Sequence, residues 1–424
     1  MRQTRRTRSA ARAIPRRAGT RLRLPLAVVG ATAALVTAVA TPGAAAQPAP
    51  PPGRTLSVTA SAPLPALRQE SHVVGRDNGQ SAGYQGRSVW IFDDTMLRDP
   101  EGFLSNSGAV TADLDARDGI DLTSTTPFST ADTGAPTELM PLTRAERDFT
   151  DAHAQPCATG DDYCGTVFGF WPGPVVADPA RHRIIFSYGK LCRGAPDGTP
   201  CASGFVGTAL GTGFAQLDMR THKVSRITVE HPDPAVTHAG PEGVDPALMF
   251  APGKEFASGS MVLRDGVIYA YGRCDTTVNS CALAKVPAAR IQDRLAWRYY
   301  TGSTPDGSPV WSTDPDAAVP VGAGNGPAGS TVQYVPALHG YLDTYMSLFD
   351  NVGRYQTAPT PWGPWTEAKP MFTGLPTDQL WDYAMFAHPE YARRGGLTQF
   401  FSYYRPQDGS QQLVRVDFDL AKQS

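Results

Sequence analysis

Long amphipathic runs are missing from this 424-residue chain. No stretch keeps apolar residues at helical spacing for more than a few turns, which excludes a helix bundle. No two cysteines stand in the Cys-x-x-Cys spacing of structural zinc sites. No Gly-x-Ser-x-Gly segment marks a strand-to-helix turn, the setting that a serine hydrolase of the α/β kind requires, and Ala257-Ser258-Gly259 does not supply one. Past the first 23 positions there is no basic stripe, so nucleic acid is not expected as a partner.

Acidic residues are absent from Met1–Arg23, which instead holds nine Arg. An uncharged stretch of 17 residues follows, Leu24–Ala40, and then Ala44-Ala45-Ala46 before Gln47. Basic start, apolar middle and small residues at the end read as a signal peptide over residues 1–46, with cleavage after Ala46. The apolar stretch is short and rich in Ala, Gly and Thr, too weak for a span of about 20 residues, so no membrane anchor is expected. Arg5-Arg6 and Arg16-Arg17 leave a twin-arginine route open. Without the leader, 29 Lys and Arg face 40 Asp and Glu, an acidic balance near −11. Residues 47–54 open with Gln-Pro-Ala-Pro-Pro-Pro-Gly, a flexible leader with nothing to pack.

What the remainder does contain is turns and short β-rich segments. Gly and Pro number 42 and 38. Ser88–Phe92, Arg183–Tyr188, Thr331–Val335, Tyr341–Leu348, Gln399–Tyr404 and Leu413–Phe418 read as strands. Met261–Leu263 and Val267–Tyr271 flank Arg264-Asp265-Gly266, a hairpin signal. Hairpins spaced by several tens of residues suit small sheets repeated around an axis, and residues 55–424 read as one all-β domain. The Thr-, Ser- and Pro-rich stretch from Ile120 to Glu138 reads as a long excursion between sheets.

The six cysteines fall into neighbouring pairs, Cys157/Cys164, Cys192/Cys201 and Cys274/Cys281. Six cysteines permit 15 connectivities, and local pairing is the simplest because each pair brackets a short Gly-, Asp- or Pro-containing loop. Disulfides agree with export to an oxidising compartment, so the protein is expected outside the cell.

Gly86–Thr95 with Asn106-Ser107, Ala257–Val262 with Asp265–Tyr269, Gly363-Pro364-Trp365, Ala387-His388-Pro389-Glu390 and Phe401–Tyr404 occur in an order that resembles the family catalogued as domain of unknown function 4185. The likeness spans roughly residues 55–420. It implies a five-bladed β-propeller similar to those that cleave furanosides, some relatives being endo-D-arabinanases. Carbohydrate of a cell-wall polysaccharide is then the expected partner, with no cofactor and no metal, and the protein is expected to be a monomer. A non-catalytic glycan-binding propeller is the alternative. A sialidase-like enzyme is a weaker one, since Arg273 and Arg354 with Tyr355 are too few for its arginine cluster. The family usually has Gly before the Asp-Thr pair, where this chain has Asp93.

Glycoside hydrolysis asks for two carboxyl groups across the scissile bond. Asp94 follows the apolar strand Trp90–Phe92 and is the first candidate, against a turn-capping role. Glu255, before a strand, is preferred as the acid over Glu242 in the loop Ala239–Gly243. Trp90, Asn106, Asp382, His388 and Glu390 are the candidate sugar-binding groups. Trp171, Trp362, Trp365 and Trp381 also lie near the matching motifs, although packing between blades is the commoner work of such rings. Asp113-x-Asp115-x-x-Asp118-Gly119-x-Asp121 misses the EF-hand register and reads as a solvated Asp-Gly turn rather than a calcium loop.

Overall fold

The computed structural model describes residues 55–124, 127–275, 280–324, 329–347, 350–377 and 381–420. The expected signal peptide and the Pro-rich leader lie outside the described residues.

Alternating short strands and tight turns give antiparallel ladders that form five small sheets, beside a two-stranded parallel pair of Arg68–Gln69 with Asp121–Leu122. The first sheet begins with Val73–Tyr84 and Arg87–Leu97, and the second strand also carries Gly102–Leu104 and Ser107–Thr111. The second runs from Val167–Asp178 through Arg183–Arg193 and Thr208–Asp218 to Lys223–Arg226. The third starts at Ser260–Arg264 and the fourth at Ser330–Val335. The fifth is built from Tyr383–Ala387, Thr398–Arg405 and Ser410–Leu420, and its outermost strand is Leu56–Leu64.

The first-named strand of each sheet packs on its counterparts in the two neighbouring sheets, and the fifth returns to the first. The molecule is therefore a five-bladed β-propeller with those strands innermost. Leu56 pairs with Leu420, so the beginning and end of the domain close the ring within one blade. That closure ties the two ends of the domain together and leaves Leu56–Leu64 as the edge strand of the blade. Tyr355 of the fourth blade donates its hydroxyl to Leu56 O at 2.8 Å and fixes the closing strand from the side.

Local chemistry accounts for the turns. Asp265 and Gly266 have φ of +51° and +77°, and Arg264 pairs with Val267 across them, the two-residue hairpin that Asp-Gly favours. Apolar side chains collect in the seams between blades: Phe214 stacks on Trp297 at 5.5 Å between the second and third, and Trp90, Phe92, Tyr391 and Phe400 share the seam of the first and fifth. The excursion after the first blade carries the helix Arg144–Ala152, started by a capping box of Thr143 and Glu146.

All three disulfides are local, Cys157–Cys164, Cys192–Cys201 and Cys274–Cys281, as the spacing predicts. Non-reducing peptide mapping is expected to recover these three pairs and no free thiol. Loops this short leave each bridge worth roughly 2–3 kcal/mol through the unfolded chain. A long-range bridge such as Cys157 to Cys274 in the map would overturn the assignment. Among the described residues no helix is long and apolar enough to cross a membrane.

Candidate active site

All five innermost strands run in the same direction around the axis, so their N-terminal ends gather at one mouth and their C-terminal ends at the other. A cavity of about 400 Å³ opens at the N-terminal mouth. Its wall draws Asp77 and Asn78 from the first blade, Trp171–Gly173 from the second, Glu255 and Ser258 from the segment entering the third, Gly329 from the fourth and Tyr383 from the fifth.

Asp77 reaches the cavity because its strand is irregular. The register of Val73–Tyr84 against Arg87–Leu97 shifts on both sides of Asn78, where Asn78 and Gly79 have φ of +65° and +90°. Gly79 permits this close to the neighbouring strand, since a Cβ there would sit 3.1 Å from Phe92 Cε1. The bulge re-aims the adjoining side chains, as bulges beside functional sites do.

Three carboxyls follow from that irregularity. Asp77 Oδ2 accepts the Tyr383 hydroxyl at 2.7 Å, while its Oδ1 is buried with no protein partner. Burial raises the Asp77 pKa to about 7, the Tyr383 hydrogen bond opposing and the charge of Asp94 adding to the shift. Asp93 Oδ2 accepts from Asn78 Nδ2 at 2.8 Å, and its Oδ1 is likewise unpartnered. Burial and then the charge of Asp77 hold Asp93 well above the ordinary carboxylate range. Asp93 and Asp94 together oppose the single residue Asp77 at the bulge, and Asp94 takes partners of its own. Its Oδ1 accepts from Trp171 Nε1 at 3.0 Å and Arg193 Nη2 at 3.3 Å. Burial raises the Asp94 pKa, with both donors working against that shift. Asp93 and Asp77 line the cavity; Asp94 lies beside it, behind Trp171.

Glu255 lies on the wall that belongs to the third blade. Its backbone oxygen accepts from Arg273 N at 2.9 Å, and its Oε2 is buried without a partner. Gly272 allows this approach: a Cβ there would lie 2.3 Å from Glu255 O. Unpartnered carboxyl oxygens from the first and third blades thus belong to residues of one cavity, together with the unpartnered Tyr188 hydroxyl, whereas most buried polar atoms in proteins are bonded.

Glu242 sits elsewhere. Together with Glu146 and Asp245 it surrounds the Lys190 ammonium, which is 2.7 Å from Glu146 Oε1 and 2.8 Å from Asp245 Oδ2. Arg226 adds a second cation, 2.6 Å from Glu146 Oε1. Burial alone would lower the Lys190 pKa, but Asp245, Glu146 and Glu242 outweigh it and the pKa ends above the usual lysine value. Burial pushes Glu146 up, yet Arg226 and Lys190 bring it down to about 2. Oxygens of Glu146, Glu242 and Asp245 lie within 4.8 Å of one another, a spacing that suits a metal ion, but the lysine ammonium already holds the centre. Lys190 also forms part of the cavity wall.

The candidate sugar-binding groups are dispersed. Trp90 is fully buried, its ring 4.3 Å from that of His388. Asn106 is fully buried too, donating to Glu138 Oε2 at 2.9 Å and Phe170 O at 3.2 Å and accepting from Met140 N at 2.8 Å. His388 bridges Ser81 Oγ at 2.7 Å and Ser402 Oγ at 2.9 Å, and burial lowers its pKa to about 3. Glu390 Oε1 accepts from Ser81 at 2.5 Å and Ser88 at 2.6 Å, and this carboxyl lies at the C-terminal mouth, in a second cavity of about 480 Å³. Asp382 is buried, 3.9 Å from Arg405 Nη1, and burial raises its pKa to about 6.

Gly79-Gln80-Ser81-Ala82-Gly83 does spell Gly-x-Ser-x-Gly, but inside the strand Val73–Tyr84. Glu390 there bonds the serine rather than the histidine, so no triad forms. Asp113 accepts from the backbone of Asp115 and Asp121, and Asp115 pairs with Arg117, which makes this stretch a set of capped turns. Arg354 pairs with Asp350, Arg273 donates to Pro315 O, and Tyr355 donates to Leu56 O, so none of the three serves the cavity.

Asp77, Tyr383 and Lys190 escaped the reading of the sequence. Asp77-Asn78-Gly79 carried a usable signal, since Asn-Gly within a strand pattern marks a bulge. Tyr383 and Lys190 carried none.

No protein of curated function matches the chain. Solved structures with a similar fold include a Bacteroides ovatus protein named for an inferred hydrolase activity, at 16% identity and TM-score 0.48, covering 82% of this chain and 87% of that one. An exo-β-1,3-galactanase of Phanerochaete chrysosporium is similar at 11% identity and TM-score 0.41, covering 84% and 63%. The catalytic domain of a GH62 α-L-arabinofuranosidase of Coprinopsis cinerea is similar at 9% identity and TM-score 0.40, covering 86% and 97%. The galactanase and the arabinofuranosidase are glycoside hydrolases, and likeness at this level is one of fold alone. The resembling stretch Gly86–Thr95 falls outside the segment that a family model covers. Residues 231–406, from the end of the second blade into the fifth, match the family described as Domain of unknown function (DUF4185).

Proposed function

We propose that this protein is an exported glycoside hydrolase acting on an arabinan-like or other furanoside-containing cell-wall polysaccharide. The observation that carries the reading is the meeting of Asp77 and Glu255, from non-adjacent blades, each with a buried unpartnered oxygen at one cavity. Acid and base in such sites are separated by environments that push their pKa values apart. Asp77 keeps its proton until about pH 7 and is the group that protonates the leaving oxygen. Glu255 then acts on water or on the sugar carbon from the facing wall, which exchanges the role that the sequence suggested for it. Asp93 stands beside Asp77, and burial and the charge of Asp77 hold its carboxyl above the ordinary range as well. Asp94 orients Trp171 and Arg193 at the rim. Three disulfides support export.

The test is incubation of the purified protein with arabinan, arabinogalactan, galactan and xylan, followed by chromatography of released sugars. Oligosaccharides or arabinose from the furanoside polymers are expected. Binding without products from any polymer would replace this reading with the glycan-binding one.

A further inference from the structure

Beside the catalytic mouth lies an apolar surface that the reaction itself does not use. Phe205 is 67% exposed and Val206 60%, with Phe103 at 44% and Met96 at 43%. Monomeric proteins seldom leave large apolar side chains contiguous and open unless the surface binds something. The two phenylalanine rings meet edge to face at 6.0 Å, one from the first blade and one from the second. Arg193 sits against both, its guanidinium 5.1 Å from the Phe103 ring and 5.3 Å from the Phe205 ring.

This surface is held in place. Arg193 Nη1 donates to Phe205 O at 2.8 Å, and Nη2 donates to Asp94 at 3.3 Å. The bridge Cys192–Cys201 closes the loop that precedes Phe205. A rigid, exposed aromatic costs little entropy when a ligand covers it. The surface is also continuous with the cavity, because Val206 and Gly207, the residues next to Phe205, form part of the cavity wall with Trp171.

We infer that Phe103 and Phe205, held from behind by Arg193, form a stacking subsite for a further sugar unit of a polymeric substrate, next to the unit being cleaved. The inference rests on the hydrolase reading and extends it: the substrate is a chain of several units rather than a single terminal glycoside. Sugar rings present an apolar C–H face to an aromatic ring and hydroxyls around the edge. Phe205 meets the first, while the buried guanidinium of Arg193 holds the ring from behind.

The experiment compares wild type, Phe205→Ala, Phe103→Ala and Phe205→Tyr on arabinan and on an aryl arabinofuranoside. The ratio of kcat/KM on polymer to kcat/KM on the small glycoside is expected to fall about tenfold in either alanine variant, through KM, and to return in Phe205→Tyr. An unchanged ratio in both alanine variants overturns the subsite. Inactivity of the wild type on both substrates defeats the hydrolase reading instead. Affinity electrophoresis in arabinan then decides the subsite: retardation of wild type that Phe205→Ala loses supports it, and equal migration overturns it.

Discussion

Asp77→Asn is expected to lower turnover by about three to four powers of ten, the scale of a lost proton donor at a glycosidic oxygen. The substitution keeps the carbonyl that accepts the Tyr383 hydroxyl. It removes only the titrating proton. Stability moves the other way. An aspartate in the unfolded chain titrates near about 3.9, and in the fold Asp77 titrates at about 7. Between those values the folded state binds the proton more tightly, so wild-type stability declines as pH rises from about 4 to about 7. Asp77→Asn removes that decline and is expected to be at least as stable as wild type at pH 8, with the difference closing toward pH 4. Wild-type kcat/KM is expected to fall as pH rises through about 7, the limb of a group that must be protonated. A limb of opposite slope would give Asp77 the base and Glu255 the acid. Full turnover in Asp77→Asn would remove the residue from the chemistry.

Architecture was legible in the sequence where local rules act alone. Arg264-Asp265-Gly266 requires two residues of positive φ, and the hairpin forms there. Cysteines seven and nine residues apart can close only short loops, and they do. The number of blades came from resemblance, because no repeat of fixed length marks it. The closing strand Leu56–Leu64 could not be read locally, since its partner lies at the other end of the chain.

The site was legible only in part, for a reason of the same kind. Two neighbouring carboxyls, Asp93 and Asp94, stand on one strand where two residues oppose one of the partner strand, so simple alternation does not decide which lines the cavity. Which one depends on register, and register depends on a bulge in the partner strand. The sequence therefore pointed to the neighbour of a cavity-lining residue. Glu255 was approachable because it precedes a predicted strand. Glu242 was a reasonable candidate that long-range charge explains better, since Lys190 lies 52 residues away in sequence.

Lys190→Met is expected to cost about 3–5 kcal/mol, the usual penalty for leaving a buried ionic group without its partner. The methionine matches the lysine stem in length but withdraws the one cation that Glu146, Glu242 and Asp245 share. Arg226 remains for Glu146 and is 3.7 Å from Asp245, so Glu242 is left the most exposed to the loss. Acid should mask the defect. Glu146 titrates at about 2 in the fold, against about 4.3 in an unfolded chain. Its stabilising contribution is complete above the unfolded value and fades as pH falls toward the folded one. Urea midpoints of wild type and Lys190→Met should accordingly lie far apart at pH 7 and draw together on acidification below pH 4. Adding Glu242→Gln to Lys190→Met should recover part of the deficit at pH 7, because the amide removes the charge that has lost its counterion. A deficit under about 1 kcal/mol at pH 7 would mean that water reaches these carboxylates. In that case the wall of the cavity at Lys190 would be a hydrated surface, and the low effective dielectric that raises Asp77 would need another cause.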